Sequence, residues 1–220
     1  MRPAPAVSRP TLLRPGPDRG AALAQYESRA ASYDFELALF EPLRDLAIGR
    51  LDLRSGQTVL DVGCGTGLSL EKLSRAVGRR GRVVGIEQCP AMLARARERT
   101  CVKGSANVEL ILAPAEEFEL EGRADAALFH FTHDVLRRPA ALDRVLAHVR
   151  PGGRVVACGL KWASPWAVPV NLFVWGAAWR SVSSLGGLDR PWSLLAERVR
   201  DLEVDPLLLG AAFLARGVRA

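Results

Sequence analysis

The sequence predicts an α/β fold in three layers: a seven-stranded, mostly parallel sheet with an antiparallel terminal strand, helices on both faces, and a helical lid ahead of it. Three observations carry that prediction. From Thr58 onward, short β-rich runs alternate with amphipathic stretches. The runs are apolar along most of their length, as strands buried on both faces must be. The 220 residues, 49% apolar and 25% charged, also have the size and composition of one globular unit with a substantial core.

Taken from the start, residues 1–20 read as a disordered tail. Pro3, Pro5, Pro10, Pro15 and Pro17 alternate with Arg2, Arg9, Arg14 and Arg19, a composition that holds no helix and builds no core. The tail lacks the apolar run of a secretory signal, so a cytoplasmic location is expected. Its four arginines against Asp18 account for half of the net charge of +6, and no nucleic-acid partner is expected. From Ala21 to Leu51, helical spacing interrupted at Asp34 and Pro42 predicts two helices ahead of the core.

The predicted strands are Thr58 to Val62, Arg82 to Glu87, Val108 to Leu112, Ala124 to Phe129 and Arg154 to Gly159. Between them, Gly67 to Val77, Pro90 to Arg99 and Ala140 to Val149 place apolar residues three and four apart, and Pro90 suits a first helical turn. Ala115 to Leu120 has room only for a turn. After Gly159 come a tryptophan-rich insertion, a predicted helix from Pro191 to Val199, and two runs, Leu202 to Leu209 and Ala211 to Val218, that can pair antiparallel. The stretch from Trp162 to Trp179 comes nearest to a membrane span, but Ser164, Pro165, Pro169 and Asn171 break it. Cys64, Cys89, Cys101 and Cys158 show no metal-ligand spacing, so neither a disulfide nor a bound metal is expected.

Chemistry concentrates in Val59-Leu60-Asp61-Val62-Gly63-Cys64-Gly65-Thr66-Gly67, a strand that runs into three alternate glycines and then a helix. Glycine there lets a ligand approach the backbone. Glu87 ends the next strand, 20 residues beyond Gly67, where a carboxylate can accept both hydroxyls of a ribose. The G-x-G-x-G spacing differs from the G-x-G-x-x-G array that seats a pyrophosphate, which disfavours a nicotinamide oxidoreductase. Asp61, two residues before the first glycine, complements an ammonium group. Ammonium, ribose and adenine together describe S-adenosylmethionine, whose demethylated product is S-adenosylhomocysteine.

These residues resemble the first motif of the class I S-adenosylmethionine-dependent methyltransferases, a Rossmann-like fold. Val84-Gly85-Ile86-Glu87-Gln88-Cys89-Pro90-Ala91-Met92-Leu93 resembles the second. Ala113-Pro114-Ala115-Glu116 and Arg150-Pro151-Gly152-Gly153 extend the likeness, with the quinone and phospholipid-head-group enzymes the most similar types. The resemblance implies that Asp61, Gly63 and Gly65 hold the methionine part, with Cys64, Thr66 and Gly67 completing the loop. It implies that Glu87 holds the ribose, Gln88 and Met92 an adenine face, and Ala115 and Glu116 the adenine edge. Tyr33 and Phe129 join this cofactor set, and Tyr26 belongs to the acceptor side of the lid. Pro114 departs from relatives that carry aspartate there, so a backbone carbonyl or Glu116 must meet the adenine amino group. On this reading residues 21–220 are a single methyltransferase domain, with a lid over 21–52 and an acceptor-side insertion over 160–190.

The acceptor is less defined. His130 and His133 follow the fourth strand and are the candidate bases, His130 also as a substrate contact. Trp162, Trp166, Asn171 and Trp175 are the candidate acceptor pocket, and their aromatic density favours a small lipophilic or aromatic acceptor methylated at nitrogen or oxygen. Two alternatives stand beside this: methylation of lipid head groups at a membrane surface, where contact is not the leading expectation, and a non-catalytic cofactor-binding regulator. The residues define no oligomeric state.

Overall fold

The computed structural model describes residues 40–179 and 186–220. The tail, Tyr26, Tyr33 and Asp34 lie outside the described residues. The five apolar runs form β1 (Thr58–Val62), β2 (Arg82–Glu87), β3 (Val108–Leu112), β4 (Ala124–His130) and β5 (Val149–Leu160), and the terminal pair forms β6 (Val199–Leu207) and β7 (Ala212–Arg219). They make a seven-stranded sheet in the order β3-β2-β1-β4-β5-β7-β6. β1 pairs in parallel with β2 and β4, β2 with β3, and β4 with β5, while β7 runs antiparallel between β5 and β6.

Alternation along the buried strands divides the core between two helical layers. Val59, Val83, Ala126, Leu128, Val156 and Cys158 face one layer, built from α1 (Glu41–Arg50), α2 (Leu70–Val77) and α3 (Pro90–Val102). Leu60, Val62, Val84, Ile86, Ala127, Phe129, Val155 and Ala157 face the other, built from α4 (His133–Leu136), α5 (Pro139–Ala147) and α7 (Ser193–Ala196). Between β5 and α7 lies α6 (Val168–Trp179), a helix without a charged residue. Among the described residues, no helix is long and apolar enough to cross a membrane.

Some boundaries differ from expectation for local reasons. β5 starts at Val149 and carries Arg150-Pro151-Gly152-Gly153 within it, across a register shift at Ala124/Ala126 on β4. Gly153 has no room for a side chain, since a Cβ there would lie 2.5 Å from Cγ1 of Val149. The helix predicted from Pro191 to Val199 is only the single turn of α7, because the chain joins the sheet as β6 at Val199. α2 begins at Leu70, not Gly67, because the glycine turn still closes there, with Leu70 donating to the Gly67 carbonyl.

Candidate active site

In this strand order the chain leaves β1 towards β2 on one side and β4 lies on the other, so the crevice opens at the carboxyl ends of β1 and β4. A cleft partly open to solvent occupies that point. Gly63, Gly65, Glu87, Gln88, Met92, Ala113, Ala115 and Glu116 line it, all from the motif segments. Gly63 takes φ +68°, and a Cβ there would stand 2.5 Å from Cγ2 of Thr132, so any side chain would collide with the opposite wall. Gly67 has a different task. A Cβ there would meet Ala96 of α3 at 3.1 Å, so this glycine lets helix and loop pack closely.

Glu87 is buried and fixed by main-chain donors. Gly65 N–H donates to Oε2 at 3.0 Å and Cys89 N–H to Oε1 at 2.8 Å. Burial raises its carboxyl above the usual range, and the amide bonds oppose that rise. Each oxygen keeps a further lone pair for a ligand hydroxyl. Gln88 contributes a buried Oε1 with no partner, another acceptor at the same wall. Glu116 takes a 3.0 Å bond from Arg138 Nη1, and both side chains line the cleft.

Asp61 sits on β1, 2% exposed, and its Oδ2 has no hydrogen-bond partner. Burial pushes its carboxyl up to about 7; the Arg44 guanidinium opposes that and the Glu87 charge adds to it. A buried carboxylate oxygen without a partner is rare and costly, and here it fits a ligand ammonium. Sequence reasoning did not single out Arg44, which is 4% exposed on α1 and donates from Nη1 to Ser69 Oγ at 3.0 Å. One signal was legible: Arg44 interrupts the inward stripe of Phe40, Leu43 and Ala47 with a charge.

Several expected residues lie elsewhere. Phe129 is fully buried on the α5 side of the core and does not line the cleft, which corrects its place in the cofactor set. β4 ends at His130 and Phe131 turns back into the site with φ +57°, a left-handed conformation that a phenylalanine holds only under constraint. Cys64 packs its Sγ over Gly85, and burial raises its thiol well above the usual value, which suits a filler and not a nucleophile. Thr66 is buried in the loop, with its carbonyl accepting from Arg99 Nε at 3.0 Å.

His130 is buried, with Nδ1 3.5 Å from Arg44 Nη1. Burial, then the Arg44 and Lys72 charges, hold it well below its ordinary pKa, so it is a neutral imidazole and a weak base. His133 contacts the Gly186 carbonyl through Nε2 at 3.0 Å. A carbonyl only accepts, so Nε2 carries the proton and the buried Nδ1 is a lone pair without a partner. His133 lines a second, narrow recess with Leu136, Leu160, Leu188, Pro191 and Phe213. Phe131 and Thr132 line both this cavity and the cleft, so the two spaces adjoin.

The tryptophan cluster does not form the pocket expected of it. Trp166 is 84% exposed and Trp175 is 47% exposed. Asn171 spends its amide on the loop, accepting from Ala163 N–H at 2.9 Å and donating to the Ser164 carbonyl at 3.1 Å. Trp162 packs its half-buried ring on the α1-side core. None of the four lines the cleft or the adjoining cavity.

The fold and the cleft define a class, a sheet-edge nucleoside site with charges set for an amino-acid tail. A family model described as a methyltransferase domain matches residues 59–153. The ubiquinone/menaquinone biosynthesis C-methyltransferase UbiE of Coxiella burnetii is 30% identical over 187 residues, 80% of this chain and 74% of that protein. An uncharacterized 37.1 kDa protein in transposon TN4556 of Streptomyces fradiae is 36% identical over 140 residues, 60% of this chain but only 39% of its own length. Among solved structures, N-methyltransferase NodS of Bradyrhizobium japonicum, in complex with S-adenosylhomocysteine, shares the fold with a TM-score of 0.68 at 20% identity, covering 90% of this chain and 98% of that one. The chain belongs to the class I S-adenosylmethionine-dependent methyltransferases, and S-adenosylmethionine is its cofactor.

Proposed function

We propose that the chain transfers a methyl group to nitrogen or oxygen of a small lipophilic or aromatic acceptor, seated in the cavity that adjoins the cofactor cleft. The apolar lining of that cavity, and its junction with the cleft at Phe131 and Thr132, carry this reading. The same reading assigns the cofactor roles. Glu87 accepts the ribose hydroxyls, Asp61 the ammonium, and Gln88, Met92, Ala115 and Glu116 enclose the adenine.

When bound, S-adenosylmethionine supplies an electrophilic methyl group on a sulfonium. The protein's part is placement, which contributes up to about 7–11 kcal/mol in well-oriented reactions. Phe131, held in a left-handed conformation, forms the shared wall between cofactor and acceptor. His133, neutral because burial lowers its pKa, presents Nδ1 to a hydroxyl or amine proton of the acceptor. It is a better candidate than His130, which burial and then the Arg44 and Lys72 charges hold well below its ordinary pKa.

A second reading, methylation at carbon, is favoured by the name of the Coxiella burnetii relative. A radiolabelled methyl-transfer screen of uncharged phenols, arylamines and quinols tests both, and the product's methyl carbon shift tells oxygen, nitrogen and carbon apart. With the best acceptor, His133→Phe is expected to lower turnover by about 10- to 100-fold while leaving S-adenosylhomocysteine affinity within about twofold. Unchanged turnover would remove His133 from the reaction.

A further inference from the structure

Among the described residues, four glycines are buried within strands: Gly85 on β2, Gly153 and Gly159 on β5, and Gly217 on β7. Glycine weakens a strand, since it packs no side chain and loses more freedom on folding than other residues, so each position calls for a reason. Three have one in their packing. A Cβ would stand 2.8 Å from Leu110 Cδ2 at Gly85, 2.5 Å from Val149 Cγ1 at Gly153 and 2.7 Å from Val199 Cγ2 at Gly217. Gly159 has no such reason. The nearest atom to a Cβ there is Cε1 of Phe213 at 3.5 Å, an ordinary contact, and its φ lies outside the left-handed region. Its ladder with β7 also runs in unbroken register from Arg154 to Leu160, so it marks no bulge.

The remaining reason for a strand glycine is the close approach of a ligand. Gly159 lines the recess beside the cofactor cleft. By strand alternation it faces the same layer as Val155 and Ala157, and its partner across the ladder is Phe213. The Phe213 ring is buried and backed by Trp192 at a centroid distance of 5.0 Å. On the other side, the Cα of Phe131 lies 3.8 Å from the same Cβ position. The space that a side chain at 159 would fill is therefore left to the recess, between an aromatic ring and bare backbone. A slot of that shape admits a flat ring and rejects a puckered group of the same carbon count. A ring lying there gains an offset or edge-to-face contact with Phe213.

We propose that Gly159 is a specificity-determining residue of the acceptor recess, its missing side chain forming the slot in which a planar ring of the acceptor lies against Phe213. The assignment rests on the reading of the recess as the acceptor site. It narrows the acceptor to flat ring systems, and Thr132 and His133 supply polar side chains to the same recess for the group that receives the methyl.

The test uses the full chain saturated with S-adenosylhomocysteine. It is titrated with 2-naphthol, followed by the ligand's own fluorescence, and with decahydro-2-naphthol, read by competition; the second keeps the carbon skeleton and hydroxyl but is puckered. Wild type is expected to prefer 2-naphthol by at least about 10-fold, and Gly159→Ala to weaken 2-naphthol by about 10- to 100-fold, the cost of overpacking a narrow site by one methyl group. The same variant is expected to keep S-adenosylhomocysteine affinity within about twofold and, without ligand, to melt about 1–4 °C higher, because no native contact or dihedral requires the glycine. Equal wild-type affinity for the flat and puckered ligands overturns the proposal, whether or not the variant folds. An unchanged 2-naphthol affinity in Gly159→Ala overturns it too, and a lower melting temperature does so by making the glycine structural. In all three cases the recess can still be the acceptor site. Wild-type protein that binds S-adenosylhomocysteine but neither naphthol removes the acceptor from the recess, and the slot with it.

Discussion

The two sides of the crevice are built on different terms. On the β1–β2–β3 side, the polar groups at the strand ends are fixed by backbone, as Glu87 is on two amides, or buried without a partner, as Oδ2 of Asp61 and Oε1 of Gln88 are. On the β4–β5–β7 side, the cavity wall is mostly apolar, with Phe131, Leu136, Leu160, Leu188, Pro191 and Phe213, and its other side chains are those of Thr132, His133 and Cys158. The first side suits one zwitterionic nucleoside. The second sets shape and little else, so one cofactor half can serve many acceptors.

That contrast predicts a graded response to substitution. Glu87→Ala is expected to have the largest effect, raising the S-adenosylhomocysteine dissociation constant by about 100-fold or more, because two charge-assisted bonds of about 1.5–3 kcal/mol each are lost. Calorimetry reads this directly, and an affinity within tenfold of wild type would place the ribose elsewhere.

Asp61→Asn is expected to be milder and to depend on pH. The Asp61 carboxyl, raised to about 7, must be ionised to meet an ammonium, so wild-type affinity is expected to fall as pH drops from 8 to 6 and the variant's to stay flat. Stability runs the other way. A carboxyl whose folded pKa is raised lends stability that is present at low pH and lost as pH rises through about 7. The ligand-free variant is therefore expected to melt higher than wild type at pH 8, by differential scanning fluorimetry. A lower melting temperature would mean that Asp61 has a stabilising partner in the empty site.

The smallest effect is expected at Trp166→Ala. With its ring 84% exposed, stability should change by no more than about 0.5 kcal/mol and turnover by less than about twofold. A loss of acceptor affinity would return the tryptophan cluster to the acceptor side and weaken the contrast.

How much of this was legible follows the same divide. The glycine loop and Glu87 could be read because local backbone demands, positive φ at Gly63 and Gly65 and a strand-end carboxylate, fix residue types at set spacing. The apolar runs gave the strands for a similar reason: burial on both faces leaves few residue choices. The acceptor cavity was not legible, because its walls come from Leu136, Leu160, Leu188 and Phe213, which only the sheet order brings together. Apolar residues spread through the sequence look like any core. The tryptophans drew attention by composition, yet three of their neighbours in sequence, Ser164, Pro165 and Asn171, shape a loop that turns Trp166 outward. Phe129 was misplaced by two residues because the left-handed turn at Phe131, which a phenylalanine seldom makes, leaves no trace in a hydrophobic pattern.

The Glu87 carboxylate also ties the glycine loop to the start of α3 before any ligand arrives, through Gly65 on one side and Cys89 on the other. A loop already stapled in its binding shape loses little freedom when the cofactor enters, so less of the interaction free energy is consumed by ordering. The kinetic consequence is capture on first encounter. Loss of the staple should slow cofactor association as well as hasten its escape.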